Sequence, residues 1–368
     1  MRIGIDASEL FGEPTGVGRY LAELLTAWTA GSSPTSHELI LYAPSALEGA
    51  IGGLRRVSEM PASLRFELPA GRPGVRWQQG ALRRALRRDH PDVFLAPAYT
   101  APLGCPVPIV LGLHDVSFVA HPEWFPWRHG LKLRRLARLS AHAAAEVLTL
   151  SGFSRQEIVE RLGVAPSRVT IVRPGVSPHF ANRGRGGHRE PLVLFVGTLL
   201  NRRHPLDLVD AFGRLAGRHP DARLVIVGAN RTAPHQDPAA RAARLGLADR
   251  VEVTSYVSDD RLVDLYERAR AFAFLSSYEG FALTPMEALS MGVPPLLLET
   301  PVAREVYQDA ALYASPGDLE GTAHALERLL YEPDVGRRLI ERAAPLLEEH
   351  TWARTAGQVM DALERAAR

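Results

Sequence analysis

Short apolar runs and amphipathic stretches alternate along the whole chain. The runs at 2–6 (RIGID), 38–43 (ELILYA), 92–96 (DVFLA), 108–113 (PIVLGL), 146–151 (EVLTLS) and 169–173 (VTIVR) read as strands. Stretches of helical period lie between many of them, for example 18–30 and 127–143. Strands that are apolar at every position are covered on both faces, and intervening helices do the covering. The pattern therefore predicts parallel sheets. It breaks at 177–191, SPHFANRGRGGHREP, which is rich in Gly, Pro and charge. It then restarts at 192–197 (LVLFVG), 223–228 (RLVIVG), 251–256 (VEVTSY), 271–276 (AFAFLS), 294–298 (PPLLL) and 311–314 (ALYA). Helical stretches here include 204–218, 259–270 and 285–291, and from about 318 onward only helical period remains.

The expected fold is α/β, with two Rossmann-like domains whose parallel sheets face each other across a cleft, followed by C-terminal helices. The chain of 368 residues is long for one core. The domains are expected at 1–177 and 191–350, joined by a linker at 178–190. A final helix at 351–368 is a candidate to cross back to the first domain. Ligands of such sheets bind beyond the carboxyl ends of the strands, so residues just after strands carry the functional interest.

Composition narrows the classes. Apolar residues make up 46% and charged residues 23%, an ordinary globular balance. No apolar run approaches the ~18 residues that span a bilayer, and the start, Met1 to Asp6, reads as a strand and not as a leader. Cys105 is the single cysteine, so a reducing, cytoplasmic setting is the simplest expectation. A formal charge of +2 makes nucleic acid an unexpected partner. Lys132 is the only lysine, so there is no Walker-type phosphate loop. Asp-x-Asp, H-E-x-x-H and G-x-S-x-G are absent as well.

The segment Ser276 to Leu289, SSYEGFALTPMEAL, has the most chemical content. Thr284 can cap a helix, Pro285 suits the first helical position, and Glu287 falls three residues after the cap, which makes a capping box. That alone would explain Glu287 structurally. The same geometry also suits a ligand. A helix start offers free N–H groups to phosphate, and Gly280 allows close backbone approach. Glu279 and Glu287 would accept hydrogen bonds from sugar hydroxyls. The arrangement reads as sugar plus phosphate.

These residues resemble glycosyltransferase family 4, whose members are retaining enzymes of GT-B architecture. Glu279-Gly280-Phe281-Ala282-Leu283-Thr284-Pro285-Met286-Glu287 is similar to its E-G-F-x-L-x-P-x-E signature. In the same order as in the family come a first glycine loop (Gly16-Val17-Gly18-Arg19-Tyr20), His114-Asp115, Ser151-Gly152-Phe153-Ser154, and Val196-Gly197-Thr198 through Arg202-Arg203-His204. The resemblance implies three catalytic groups. Glu279 would contact the transferred sugar, Arg203 would hold the diphosphate, and His114 would line the sugar pocket. It also implies substrate contacts from Gly16, Gly18, Thr198, Tyr256, Gly280, Phe281, Ala282, Leu283, Thr284 and Glu287, the last on the nucleotide ribose. Each has a plain alternative. Arg203 could be a surface arginine, Gly16 and Gly18 an ordinary strand-to-helix turn, His114 a strand-end cap with Asp115, and Tyr256 a rim aromatic.

Three departures stand out. Ala282 replaces a common glycine, so its backbone must avoid positive φ or be strained. Thr198 replaces an arginine found in some members. The turn Arg173-Pro174-Gly175-Val176-Ser177 lacks the family's Asn and Asp.

The resemblance implies a hexose transfer from a nucleotide diphosphate sugar to a saccharide or lipid-linked saccharide, with no metal and no other cofactor. Mannose from GDP-mannose is the preferred donor, and a place in cell-surface polysaccharide synthesis is expected. A UDP-sugar-dependent glucosyl or N-acetylglucosaminyl transferase is the alternative enzyme. A non-catalytic sugar-nucleotide binder is the alternative from another class. An NAD-dependent dehydrogenase is disfavoured, because no G-x-G-x-x-G fingerprint follows a strand. Basic amphipathic stretches at 76–88 and 128–139, with Trp77, Trp124 and Trp127 in or beside them, suggest that the first domain touches the inner face of the plasma membrane. The plain alternative is a solvated helix face.

Overall fold

A computed structural model of the chain describes residues 1–11, 16–30, 36–45, 64–180 and 189–368. The chain forms two compact units, one of residues 1–175 with 350–368, the other of residues 176–349.

Among the described residues of the first unit, seven parallel strands form one sheet. They are β1 (Arg2–Asp6), β2 (Glu38–Tyr42), β3 (Leu64–Glu67), β4 (Val93–Ala96), β5 (Ile109–Gly112), β6 (Glu146–Thr149) and β7 (Val169–Ile171). Their spatial order is 3-2-1-4-5-6-7. Strand periodicity sends neighbouring side chains to opposite faces, and both faces are apolar. Leu39 and Leu41 of β2 join a core with Ile3, Ile5 and the helix Trp352–Ala367. Ile40 and Tyr42 join another core with Phe94, Leu111 and the helix Trp127–Ala143.

The second unit has β8 (Glu190–Val196), β9 (Arg223–Val227), β10 (Val251–Thr254), β11 (Ala269–Phe274), β12 (Pro295–Leu298) and β13 (Leu312–Ala314), all parallel, in the order 10-9-8-11-12-13. Strand order reverses between β1 and β4 in one sheet and between β8 and β11 in the other. A crevice opens where the two chain directions part, at the carboxyl ends of those strands. The loops after β8 and β11 therefore occupy the favoured position.

The structure differs in detail from the sequence pattern at three places. The apolar pattern missed β3, whose sequence LRFE carries two charges. Among the described residues it is an edge strand, paired on one side, so it needs little apolar character. The first stretch of the first unit runs to Gly175, two residues from the expected 177. There the chain runs against Thr351 and Trp352 so closely that a Cβ on residue 175 would lie 2.2 Å from the Trp352 nitrogen. Of the expected linker 178–190, residues 181–188 lie outside the described residues. Phe180 is no linker residue: it is buried, with its ring 5.5 Å from that of Tyr266.

The last helix, Trp352–Ala367, is tied to the first unit by Trp28 Nε1 donating to the Ala356 carbonyl (3.0 Å), Thr355 Oγ1 to the Arg173 carbonyl (2.8 Å) and Arg365 to Glu146 (2.6 Å).

Candidate functional site

The second unit brings the chemistry together at its switch point. After β8 the chain passes Gly197, at φ +147°, and Thr198, then makes a single 3-10 turn, Asn201–Arg203. Gly197 and Gly228 sit back to back there. A Cβ on residue 228 would fall 1.9 Å from the Gly197 carbonyl oxygen. His204, at φ +48°, then reverses the chain into the helix Pro205–Arg218. This path aims Arg203 back over the sheet. Its guanidinium lies 4.9 Å from the Phe274 ring, and its Nη1 donates to the Thr198 carbonyl at 2.9 Å.

Arg203 Nε donates to Glu279 Oε1 at 2.7 Å. The loop after β11 that carries Glu279 is docked on the arginine turn, since Ser277 N donates to the Arg202 carbonyl at 2.8 Å. Ser276 Oγ donates to the same Glu279 oxygen at 2.9 Å. Burial pushes the Glu279 carboxyl up. The charges of Arg203 and Arg202, with the hydrogen bonds from Arg203 and Ser276, outweigh burial and leave it below its ordinary value. Glu279 is therefore a buried carboxylate, held ionised by its partners.

The helix that follows is Leu283–Ser290, with Ala282 at its cap position and no side-chain cap. The capping box expected from Thr284 and Glu287 does not form. The helix starts one residue before Thr284, and Glu287 accepts instead from the Tyr266 hydroxyl at 3.3 Å. Pro285 falls within the first turn, where it removes a donor that would have had no helical acceptor. The Leu283 and Thr284 N–H groups stay without intrahelical partners, beside Gly280 and Phe281. Ala282 has φ +68°. Its carbonyl accepts a hydrogen bond from Tyr307 Oη. Burial, and after it the Glu279 charge, push the Tyr307 hydroxyl well above its ordinary value, so it remains a donor.

Not every expected residue gathers here. Arg203, Thr198, Glu279 and Gly280 to Thr284 line the ends of β8 and β11, and Glu287 lies one turn into the helix. Tyr256 is 68% exposed beyond β10, two strand spacings (roughly 10 Å) from β8. Sequence reasoning gave no role to Ser276, Tyr266 or Tyr307. Ser276 stood inside the quoted segment, but Tyr266 and Tyr307 come from other helices, and only the fold brings them in.

In the first unit, Gly16 and Gly18 open the helix Gly16–Ala30, and His114 follows β5. His114 Nε2 lies 2.7 Å from the Pro97 carbonyl. A carbonyl only accepts, so Nε2 carries the hydrogen and Nδ1 keeps its lone pair. Burial holds this imidazole below its ordinary pKa, against the pull of the Pro97 carbonyl and Asp115. Its ring packs edge-on to Tyr20 (5.1 Å) and Tyr99 (6.0 Å). His114 thus contacts the chain just past the end of β4, but not together with Asp115, which accepts from the Ser117 N–H at 2.8 Å. On the helix Trp127–Ala143, the exposed side chains include Trp127, Leu131 and Leu139 beside Arg128, Lys132, Arg135 and Arg138. Among the described residues no helix is long and apolar enough to cross a membrane.

A sequence model described as Glycosyltransferase Family 4 matches residues 14–180, and one described as Glycosyl transferases group 1 matches residues 181–345. The O-antigen chain mannosyltransferase B of Escherichia coli is 26% identical over 69% of this chain and 69% of its own length. The glycogen synthase of Mycobacterium tuberculosis is 26% identical over 81% of this chain and 74% of its own. Among solved structures, Anabaena HepE in complex with UDP and glucose aligns with a TM-score of 0.72 at 18% identity, over 99% of both chains. At that identity the likeness speaks for the fold.

Proposed function

The chain belongs to glycosyltransferase family 4, has the GT-B fold and is a hexosyltransferase; from that premise we propose a retaining, metal-independent transfer of mannose from GDP-mannose to a saccharide or lipid-linked saccharide hydroxyl. One observation carries the reading. A half-buried arginine paired with a buried carboxylate stands beside a helix start with no side-chain cap, at a sheet's switch point. The cationic and N–H groups suit a diphosphate, and the carboxylate suits sugar hydroxyls.

The chemistry follows from that division. As the bond between the sugar's anomeric carbon and the diphosphate oxygen breaks, negative charge gathers on the leaving group. Arg203 and the N–H groups of Leu283 and Thr284 are fixed in advance of that charge and stabilise it without reorganising. Glu279 accepts from hydroxyls of the transferred sugar, and Glu287, steadied by Tyr266, accepts from the ribose. The acceptor hydroxyl attacks the anomeric carbon from the face the leaving group departs, and its proton passes to the departing phosphate oxygen. Retention follows without a covalent intermediate on the protein.

Mannose as donor sugar rests on the Escherichia coli relative. The UDP-bound Anabaena structure favours the second reading, a UDP-sugar donor. Thermal melts with GDP, UDP, ADP and dTDP separate the two. A nucleotide at about 100 times its Kd adds about 2.7 kcal/mol to stability. A shift with GDP alone supports the first reading, a shift with UDP alone supports the second, and the product's anomeric configuration by NMR tests retention. We also propose that the helix Trp127–Ala143 rests on an anionic membrane at its cytoplasmic face, supported by its exposed apolar and basic side chains. Pelleting with anionic vesicles at low salt supports this, and no pelleting removes it.

A further inference from the structure

The two oxygens of Glu279 are not equivalent. Oε1 accepts from Arg203 Nε at 2.7 Å and from Ser276 Oγ at 2.9 Å. Among the described residues no protein group bonds Oε2. Arg203 is divided in the same way. Its Nε is on Glu279 and its Nη1 on the Thr198 carbonyl, while Nη2 has no partner among the described residues.

An arginine and a carboxylate left to themselves favour a two-bond fork, in which both oxygens meet two nitrogens of one guanidinium edge. For this pair the fork would join Oε2 to Nη2. It would use up the acceptor meant for a sugar hydroxyl and the donor meant for a phosphate oxygen. The terminal torsion of glutamate is broad and two-fold, so rotating into the fork costs little by itself. Ser276 opposes that rotation. It is buried, and its hydroxyl has one hydrogen with two acceptors in range, Glu279 Oε1 at 2.9 Å and the Tyr278 carbonyl at 3.3 Å. The nearer, charged acceptor holds it.

We propose that Ser276 is a positioning residue that keeps the Arg203–Glu279 pair joined through one bond, so that Oε2 stays free for the donor sugar and Nη2 for the diphosphate. This rests on the donor-site reading above, and it adds a residue and a duty that the reading does not contain. Ser276 touches no substrate; it acts through Glu279.

The test compares wild type with Ser276→Ala and Ser276→Thr. Turnover of the matching nucleotide sugar and calorimetric affinity for its nucleoside diphosphate are measured on each. Ser276→Ala is expected to lose about tenfold or more in kcat and about tenfold in nucleotide affinity, with Ser276→Thr restoring most of both. A second arm needs no turnover. The guanidinium ¹⁵Nη signals of Arg203, assigned by their loss in Arg203→Lys, should show fast hydrogen exchange at one nitrogen in wild type and protection at both in Ser276→Ala. Unchanged Arg203 signals, or a Ser276→Ala enzyme that loses thermal stability but keeps kcat and affinity, overturn the proposal. A wild type that turns over no nucleotide sugar defeats the functional reading instead, and the exchange arm still decides for or against Ser276.

Discussion

The strain at Ala282 comes from a single methyl group where glycine has a hydrogen. An alanine at φ +68° carries a Cβ where glycine would carry none, and such backbone costs of order 1–3 kcal/mol. The departure from the family pattern thus fell on the residue that needs positive φ. Tyr307, bonded to the Ala282 carbonyl, helps to hold it there. Ala282→Gly should raise stability by about 1 kcal/mol, because the relieved strain exceeds the extra unfolded-state entropy of glycine, about 0.5–1 kcal/mol. Urea unfolding measures this, and a lower midpoint would mean the alanine is not strained. His114 gives a second expectation. Its folded pKa lies below the ordinary value of 6.5, so the native state favours the neutral ring. That stability is present above pH 6.5 and is lost as pH falls toward the folded pKa. The stability difference between pH 7.5 and pH 5.5 should therefore shrink in His114→Gln. Glu279, lowered from 4.5, adds no slope within that window: its stabilisation is fully present above 4.5 and is lost only as pH falls from there through the folded pKa.

Elements were legible where burial is two-sided. β5 (Ile109–Gly112) and β11 (Ala269–Phe274) are apolar nearly throughout because helices cover both faces, and such runs announce themselves. β3 did not, since an edge strand can afford Arg65 and Glu67. The helix at 283–290 was foreseen, but its start was not. Thr284, Pro285 and Glu287 have the spacing of a capping box, but Glu287 accepts from a tertiary partner, Tyr266, on a different helix. Arg203 was the least legible of all. One arginine among 42, it is marked only by the family resemblance of 196–204, and its carboxylate partner Glu279 lies 76 residues onward. At this scale the helix Trp352–Ala367 supplies a test. Leu363 is fully buried against the first unit's sheet. Leu363→Ala should cost about 2–5 kcal/mol by calorimetry. A loss below 0.5 kcal/mol would mean that the helix end is not part of that unit's core.

For the molecule as a whole, the question is what neutralises a leaving diphosphate. A divalent cation bound by paired carboxylates is one solution, and fixed cationic and N–H groups are another. In the second unit the carboxylate nearest the switch point bonds an arginine and a serine through one of its oxygens. In the proposed mechanism Arg203, the Leu283 and Thr284 N–H groups, and the positive end of the helix Leu283–Ser290 supply the charge instead. Removing one fixed donor of this kind typically costs 10²–10³ in kcat, about 2.7–4 kcal/mol. Arg203→Ala should fall in that range, and added Mg²⁺ should not restore it, because among the described residues no cluster of metal-ligating side chains stands in for the guanidinium. Wild-type turnover should in turn survive excess EDTA. If EDTA abolishes turnover and Mg²⁺ returns it, the cation carries the charge and the role given to Arg203 is wrong. If EDTA is without effect while Arg203→Ala keeps full activity, the charge is carried elsewhere, and the helix start alone would have to supply it.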